Sequence, residues 1–369
     1  MSNNYISLGL MSGTSGDGVD ASIIQSDGQK NHKVISDEYF EYNINIFENF
    51  HKLREKINNP IDLKKLSEEI DTLEREITIF HAEAVNKILK KNDVDFVGFH
   101  GQTIYHNAGE KISKQLGNGK LLSQLVKKDV IFNFRTKDLA NNGQGAPLTP
   151  IYHQLLAKKL NINPVKFINI GGIINETNIS LDNNLNAKDI GPGMCLVDKW
   201  IRINSKGKYD NNGSIAKSGT INKIILDQAL ENFFEHPNFF KQNIKKITNS
   251  YDVKDFDLAF VRGLSFEDAA ATLIEFTVQI MLPSLYIANK KKEKIILCGG
   301  GRKNQFLIER IKKNNIKLEL IDNYQIDGDF IESQAFAFLA IRSFLQMPIT
   351  FPKTTGCNKP SLGGEIVKF

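Results

Sequence analysis

Residues 9–21 read GLMSGTSGDGVDA. An apolar run, Ile6 to Met11, enters this loop of small residues, and a second β-like run, Val19 to Ile24, leaves it. Asp20 to Ser26 shows no helical periodicity, so the unit reads as a β-hairpin with a glycine-rich turn rather than a strand feeding a helix. Glycine lets backbone N–H groups converge on an anion, and the hydroxyls of Thr14 and Ser15 add donors. The stretch is not a Walker loop, because no Gly-Lys-Ser/Thr follows and no helix begins, and it is not the dinucleotide fingerprint. A hairpin that grips phosphate belongs to another architecture, in which a nearby carboxylate steers magnesium through water; Asp17 is placed for that part. A tight hairpin whose glycines serve only positive φ explains the stretch equally well.

Composition bounds the answer. The 369 residues allow about two or three domains with sizeable cores. With 41% hydrophobic and 24% charged residues, the chain reads as folded rather than disordered. The net charge of +5 comes with scattered lysines, no basic arm and no aromatic-interleaved basic patch, which argues against nucleic acid. Cys195, Cys298 and Cys357 are far apart and odd in number, so neither a disulfide framework nor a zinc cluster fits, and a reducing, cytoplasmic setting is expected. MSNNYISLGLMSG has no basic region and no apolar segment long enough for a signal peptide. The most apolar helix candidate, near Leu264–Asn289, carries Glu267, Asp268, Glu275 and Gln279, which argues against a membrane span.

Downstream of the hairpin, Leu63, Leu66, Ile70, Leu73, Ile77, Phe80 and Ala84 recur at three-then-four spacing and predict one long helix packed on a sheet, with a short coiled coil as the other reading. Short apolar runs then alternate with helical stretches: Asp95–Phe99 before HGQT, Val130–Phe134, Val165–Ile170 before a double glycine, and Lys294–Leu297 before CGGG and a helix near Asn304–Lys313. This is an α/β layout with glycine turns at strand ends. The expected division is 1–135 plus about 340–369 as a first lobe and 136–339 as a second.

Three further loops carry candidate chemistry. In DIGPGMCLVDKW (189–200), Pro192 and Gly193 at a helix start point N–H groups at an anion, and Asp189 beside them is placed to take a proton from a nucleophile. Asp189 as a simple cap is the competing reading. In LCGGGRKN (297–304), three glycines between a strand and a helix leave bare backbone on which a flat ligand such as adenine lies. INIGGIINET (168–177) is a strand with a double glycine, a bulge or close packing point as much as a site. FRTKD sets Arg135 and Asp138 three apart, and HGQT sets His100, Gln102 and Thr103 at a strand end; both look like substrate contacts, and both also read as ordinary structural polar groups.

Together these motifs resemble one family, the anhydro-N-acetylmuramic acid kinases. The resemblance runs in order from GLMSGTSGDGVDA through HGQT, FRTKDLANNGQGAPLTP, NIGGI, DIGPGM and CGGGRKN to ESQAFAFLA and FPKTTG. It implies a two-lobed actin-like ATPase and sugar-kinase fold with an ATP cleft between the lobes, ATP and Mg²⁺ as cofactors, and a homodimer to which the long helix contributes. It implies that ATP phosphorylates the 6-oxygen of 1,6-anhydro-N-acetylmuramic acid while water opens the anhydro bridge, a step of murein recycling. By the same resemblance Asp189 is the base for that water. The residues Gly13, Thr14, Ser15, Gly16, Asp17, Gly18, Val19 and Asp20, with Gly191, Gly193, Gly299, Gly300, Gly301 and Asn304, hold ATP. Gln102, Thr103, Arg135, Asp138 and Glu332 hold the sugar, with the lactyl carboxylate on Arg135. An actin-like kinase for another amino sugar, and a nucleotide-gated binding protein of the same fold, are the alternatives.

The chain departs from the family pattern in places. Gly16 stands where leucine is usual, Met194 where asparagine is usual, and Asn142 where glycine is usual. Ile174-Asn175-Glu176 replaces an Ala-Asn-Ile type of run. A Pro-Pro-Lys-Ser-Thr-Gly-like segment is missing from the region that here reads HPNFFKQNIKKITNSYDVKDF. None of these changes touches Asp17, Arg135 or Asp189.

Overall fold

The structure is a computed structural model and describes residues 3–235 and 250–369; most of the HPNFFKQNIKKITNSYDVKDF region, residues 236–249, lies outside the described residues. The chain forms two compact units, Met1–Lys159 with Asp329–Phe369, and Leu160–Gly328.

The first unit opens with the expected hairpin. Strands β1 (Tyr5–Ser12) and β2 (Gly18–Ser26) pair antiparallel, Tyr5 opposite Ser26 and Met11 opposite Asp20, and β3 (His32–Glu41) continues the meander. The long helix of the sequence reading divides. Asn59 and Pro60 start α2 (Pro60–Lys65) with a capping box, Leu66 leaves helical geometry, and α3 (Ser67–Leu89) follows. Ile70, Leu73, Ile77 and Ala84 do form the buried face of α3, packed with α1 (Ile44–Lys56) and α4 (Gly119–Val126). Strands β4 (Phe96–Asn107) and β6 (Asp129–Phe132) extend the sheet in parallel from β1, and β5 (Ile112–Leu116) folds back on β4. Helices α5 (Thr136–Ala140) and α6 (Pro150–Leu160) complete the first pass of the chain.

The second unit repeats the wiring. Strands β7 (Val165–Ile170), β8 (Ile173–Ile179) and β9 (Leu185–Pro192) form an antiparallel meander, and β10 (Lys294–Cys298) and β11 (Glu319–Leu320) add in parallel from β7. The spatial order is β3-β2-β1-β4-β6 in one unit and β9-β8-β7-β10-β11 in the other. Helices α7 (Cys195–Asn204), α8 (Ser214–Ser218), α9 (Lys223–Glu235), α10 (Phe266–Lys290) and α11 (Gln305–Lys312) belong to this unit. Helix α10 is long and apolar enough to cross a membrane, but 78% of its most apolar stretch is buried inside the unit, where Leu273, Ile274, Val278 and Met281 are core.

The chain then returns to the first unit as α12 (Ile331–Phe344), α13 (Pro352–Thr355) and the edge strand β12 (Glu365–Val367). Gly9 and Gly98 face each other in β1 and β4. A Cβ on Gly9 would stand 2.1 Å from the Ser333 carbonyl, and one on Gly98 2.6 Å from that of Phe336, so bare backbone lets α12 lie directly on the sheet. The crossings between units differ from the expected 135/136 and 339/340. Helix α5 stays with the first unit because Asp138 accepts bonds from Thr350 and Thr355; α6 stays because the Tyr152 hydroxyl donates to Gln334 of α12.

One departure from the family pattern is matched inside the fold. Glu176, 3% exposed, pairs with Lys166 at 2.9 Å, and both bond Ser284 of α10. Burial pushes the Glu176 carboxyl up, but the Lys166 and Lys188 ammoniums and the bonds from Ser284 and Lys166 bring it below the usual carboxylate range. Lys166→Met therefore leaves the buried Glu176 charge with only the more distant Lys188 ammonium, at 3.8 Å, and costs about 3 kcal/mol in urea unfolding. Combining it with Glu176→Leu restores most of that stability; a double variant no better than the single one would contradict this account.

Candidate active site

The β1–β2 turn has an unusual division of its backbone groups. Its carbonyls are taken by donors from elsewhere: Gln102 Nε2 on Gly13 O at 2.8 Å, Arg54 Nη1 on Thr14 O at 2.7 Å, His51 Nε2 on Ser15 O at 2.9 Å, and the Tyr42 amide on Asp17 O at 2.8 Å. The amides of Thr14, Ser15 and Asp17 have no acceptor among the described residues. A turn whose carbonyls are drawn off and whose N–H groups are left over is an anion nest. Ser15 Oγ donates to Asp17 Oδ1 at 2.6 Å, which fixes the carboxylate at the rim of the turn. Gly16 has φ +62°, the left-handed region that favours glycine. Beneath the turn the Tyr42 hydroxyl and His81 Nε2 both reach the Ser12 hydroxyl, at 2.9 and 3.2 Å. Val19 is fully buried in the core and Gly18 is pressed against the Phe40 carbonyl, so these two support the turn and offer no side chain to a ligand.

The sugar-side candidates also lie in the first unit. His100 Nδ1 donates to Gly101 O at 2.8 Å, so its Nε2 accepts from Arg135 Nη2 at 2.9 Å, and Arg135 Nη1 donates to Gly145 O at 2.6 Å. Both ends of the guanidinium are thereby oriented by HGQT and by NGQG. Burial pushes the Glu332 carboxyl, in the first turn of α12, above its ordinary value, with the Arg135 charge pulling the other way. Gln102 proves to be a brace of the β1–β2 turn, while its Oε1 is buried and has no partner among the described residues. Thr103 accepts from Gln115 at 3.2 Å. Asp138 is the clear departure from expectation. It is 1% exposed and receives the Gly145 amide and the hydroxyls of Thr350 and Thr355, so it positions the 143–145 loop instead of touching a sugar.

In the second unit Asp189 sits on β9 opposite Asn175 of β8, where a bulge leaves Ile190 unpaired before Ile174 meets Gly191. Bulges re-aim neighbouring side chains. Asp189 is 6% exposed and Oδ2 accepts the Tyr251 amide at 2.9 Å. Asn175 shares its face of the ribbon, and its Oδ1 is buried without a partner among the described residues. Sequence reading passed over Asn175, although its place three residues past the double glycine was a usable signal.

The three amides that lead into α7, at Gly193, Met194 and Cys195, are taken inside the unit, contrary to the expectation that they face an anion. Gly193 N and Cys195 N donate to Gly172 O at 2.9 and 3.3 Å, and Met194 N donates to Gly171 O at 2.9 Å. Gly191 and Gly193 are packing glycines: a Cβ on Gly193 would stand 2.3 Å from Gly171 O, and one on Gly191 3.0 Å from Ile280 and Phe233. The consequence is that the Gly171-Gly172 turn becomes the second nest. Its carbonyls are drawn off by α7, and its amides have no acceptor among the described residues. This turn joins β7 to β8 as the 13–17 turn joins β1 to β2, an equivalence only the sheet order reveals.

The glycines after β10 also divide. Gly299 (φ +77°) and Gly301 are pressed on Asn169 and Ile170, whereas a Cβ on Gly300 would meet nothing within 4 Å. Only Gly300 offers open backbone. Arg302 holds the loop, donating to Gly299 O at 3.1 Å and, through two nitrogens, to Asp322 at 2.7 and 2.8 Å. Asn304 caps α11 through Oδ1, and its Nδ2 is buried without a partner among the described residues. No group of three or more His, Cys, Asp or Glu among the described residues could hold a metal ion.

The sequence model of the anhydro-N-acetylmuramic acid kinase family matches residues 4–368. The chain is 53% identical, over the full length of both proteins, to an anhydro-N-acetylmuramic acid kinase of Pelagibacter ubique, and 34% identical, over 98% of each, to one of Brucella canis. Among solved structures it is similar to component A of (R)-2-hydroxyglutaryl-CoA dehydratase from Acidaminococcus fermentans, with TM-score 0.43 and 12% identity over 92% of this chain and 98% of that one. A ROK family glucokinase from Streptomyces griseus gives TM-score 0.38 and 12% identity over 90% and 98%.

The first unit carries an acid sensitivity of its own. Burial lowers His81 to about 4 and His153 to about 3; burial and the Lys159 charge lower His32 to about 4; burial and the Arg135 charge lower His106 to about 3 and His100 well below its ordinary value. Each is neutral in the fold and binds a proton near pH 6.5 only when unfolded. Stability is therefore full above that pH and lost as pH falls toward 4, by roughly 1.4 kcal/mol per pH unit for each histidine kept neutral. Urea midpoints measured from pH 7.5 to 5 should fall steeply; a flat profile would mean these rings are solvated.

Proposed function

The chain belongs to the anhydro-N-acetylmuramic acid kinase family, and from that premise we propose that it carries the γ-phosphoryl group of ATP to the 6-oxygen of 1,6-anhydro-N-acetylmuramate while water opens the anhydro bridge. The product is N-acetylmuramate 6-phosphate, and the setting is cytoplasmic recycling of murein. The observation that carries this reading is the pair of equivalent hairpin turns, 13–17 and 171–172. In each, the carbonyls are drawn off and the amides are left for an anion. Each such nest by itself suits phosphate oxygens of a nucleotide, and in the second unit Gly300 adds open backbone for a nucleoside. Mg²⁺, held by the phosphates and through water by Asp17, would neutralise the charge on the transferring group.

Ring opening follows the logic of inverting glycoside hydrolysis. Water attacks the anomeric carbon, the bond from that carbon to the 6-oxygen breaks, and the 6-oxygen takes the phosphoryl group in place of a proton. Water has two hydrogens to direct. Asp189 accepts the one that leaves, and Asn175 Oδ1 accepts the other, which turns the water's lone pair toward carbon. Arg135, already oriented by His100 and Gly145, receives the lactyl carboxylate, and Glu332 faces the sugar's hydrogen-bonding groups.

Incubation with ATP, Mg²⁺ and 1,6-anhydro-N-acetylmuramate in ¹⁸O-water tests the whole reading. Mass spectrometry should find one heavy oxygen at the anomeric carbon of a phosphorylated, opened sugar. Phosphorylation of another amino sugar with the anhydro sugar untouched would overturn the substrate; ATP binding with no sugar product would favour a nucleotide-gated binding protein. Asp189→Asn should bind a non-hydrolysable ATP analogue normally and lose about 10²–10⁴ in turnover. Asn175→Ala should lose roughly 10- to 100-fold in kcat with KM for ATP unchanged. Near-normal turnover by either variant removes that residue from its role.

A further inference from the structure

The family resemblance puts leucine at the position of Gly16; in this chain α1 fills the space beneath the turn. A Cβ on Gly16 would lie 2.3 Å from Phe50 Cδ1, so the Phe50 ring occupies the space beneath the turn. The Arg54 guanidinium lies over the same ring, 4.8 Å from its centre, within cation–π range. From there Arg54 Nη1 donates to Thr14 O at 2.7 Å and Nη2 contacts His51 Nδ1 at 3.2 Å. An arginine has only donors, so His51 Nδ1 accepts, its Nε2 carries the proton, and that N–H donates to Ser15 O at 2.9 Å. Phe50, His51 and Arg54 thus form one connected unit on one helix, and its two outlets are successive carbonyls of the turn.

We propose that Arg54 and His51 are positioning residues for ATP, a carbonyl clamp that keeps the 13–17 turn in its anion-binding form. This rests on the reading of that turn as a phosphate site. The physical need is plain. Successive peptide units in a tight turn are free to flip, and a flip at Thr14 or Ser15 would present a carbonyl oxygen to phosphate oxygens. Arg54 on the Thr14 carbonyl holds the Ser15 amide toward the ligand before it arrives, and His51 on the Ser15 carbonyl keeps that oxygen away from phosphate and the Gly16 amide on Gly13 O, which closes the turn. Preorganisation of this kind acts on nucleotide affinity and leaves the sugar side alone. A glycine at position 16 makes such a clamp more necessary, because glycine loosens the turn it enters.

The test uses the full chain and the non-hydrolysable ATP analogue AMP-PNP with Mg²⁺, followed by calorimetry without sugar. Arg54→Met should weaken AMP-PNP binding about tenfold, the effect of one charge-assisted hydrogen bond. KM for ATP should rise in the same ratio, while kcat at saturating ATP and KM for the sugar stay within about twofold. His51→Gln, which keeps a donor for Ser15 O, should bind almost as the wild type does, and His51→Ala should not. A merely structural role would instead lower thermal stability and kcat together without that split. AMP-PNP affinity unchanged in Arg54→Met and His51→Ala would overturn the clamp while leaving the turn as the phosphate site. No binding by the wild type would remove the phosphate reading itself, and the clamp with it.

Discussion

The first unit depends on how closely α12 approaches the sheet. Gly9 and Gly98 are opposite each other in the two central strands, and no side chain stands between them and the helix backbone at Ser333 and Phe336. The helix answers with small residues, Ala337 and Ala340, on the same face. Close approach multiplies dispersion contacts and excludes water from both elements. It also fixes the first turn of α12, and with it Glu332, relative to His100, whose ring lies 4.5 Å from that of Phe336. The ESQAFAFLA motif is thus as much a packing surface as a set of contacts. Its Ser333 and Gln334 bond Ser22 and Asp37 on the neighbouring strands.

A second theme is that bare backbone is used in two opposite ways. Some glycines exist because something else must come close: Gly9, Gly98, Gly193, Gly299 and Gly301 would each drive a Cβ into neighbouring atoms. Others are not crowded: a Cβ on Gly300 would meet nothing within 4 Å, and one on Gly171 only the Ile173 carbonyl at an ordinary 3.5 Å. Glycine-rich motifs mix the two kinds, and only the second kind can meet a ligand. The same division holds for carboxylates. Asp138 is consumed by three internal donors, while Asp189 sits at a bulge beside an amide oxygen that has no partner among the described residues.

Hydrogen-bond direction then decides what each turn can bind. Donors from α1, β4 and the 42–43 segment drain the carbonyls of the first turn, and the start of α7 drains those of the second. The two solutions use different residues at equivalent points of the same wiring. One uses three side chains brought from 36 to 89 residues away together with the Tyr42 amide; the other uses amides at a helix start about 22 residues on. In both, outside donors take the carbonyls of the turn and its amides are left over among the described residues.

Much of this protein was legible in its residues alone. The hairpin at 9–21, the α/β alternation, the buried face of α3 and the family itself all followed from local pattern and motif order, because period, turn chemistry and bare backbone are properties of neighbouring residues. Asp189, Arg135 and the 13–17 turn were singled out in the same way, from motif and spacing. Tertiary structure alone decided the rest. It showed that Asp138 positions a loop, that Gly191 and Gly193 pack, that the amides leading into α7 turn inward, that the unit boundaries fall at 159/160 and 328/329, that Asn175 Oδ1 is buried without a partner among the described residues, and that Arg54 holds the Thr14 carbonyl. Each of those facts is the identity of a hydrogen-bond or packing partner distant in the chain. A one-dimensional pattern tells which groups need a partner; only the folded chain determines which partner arrives first.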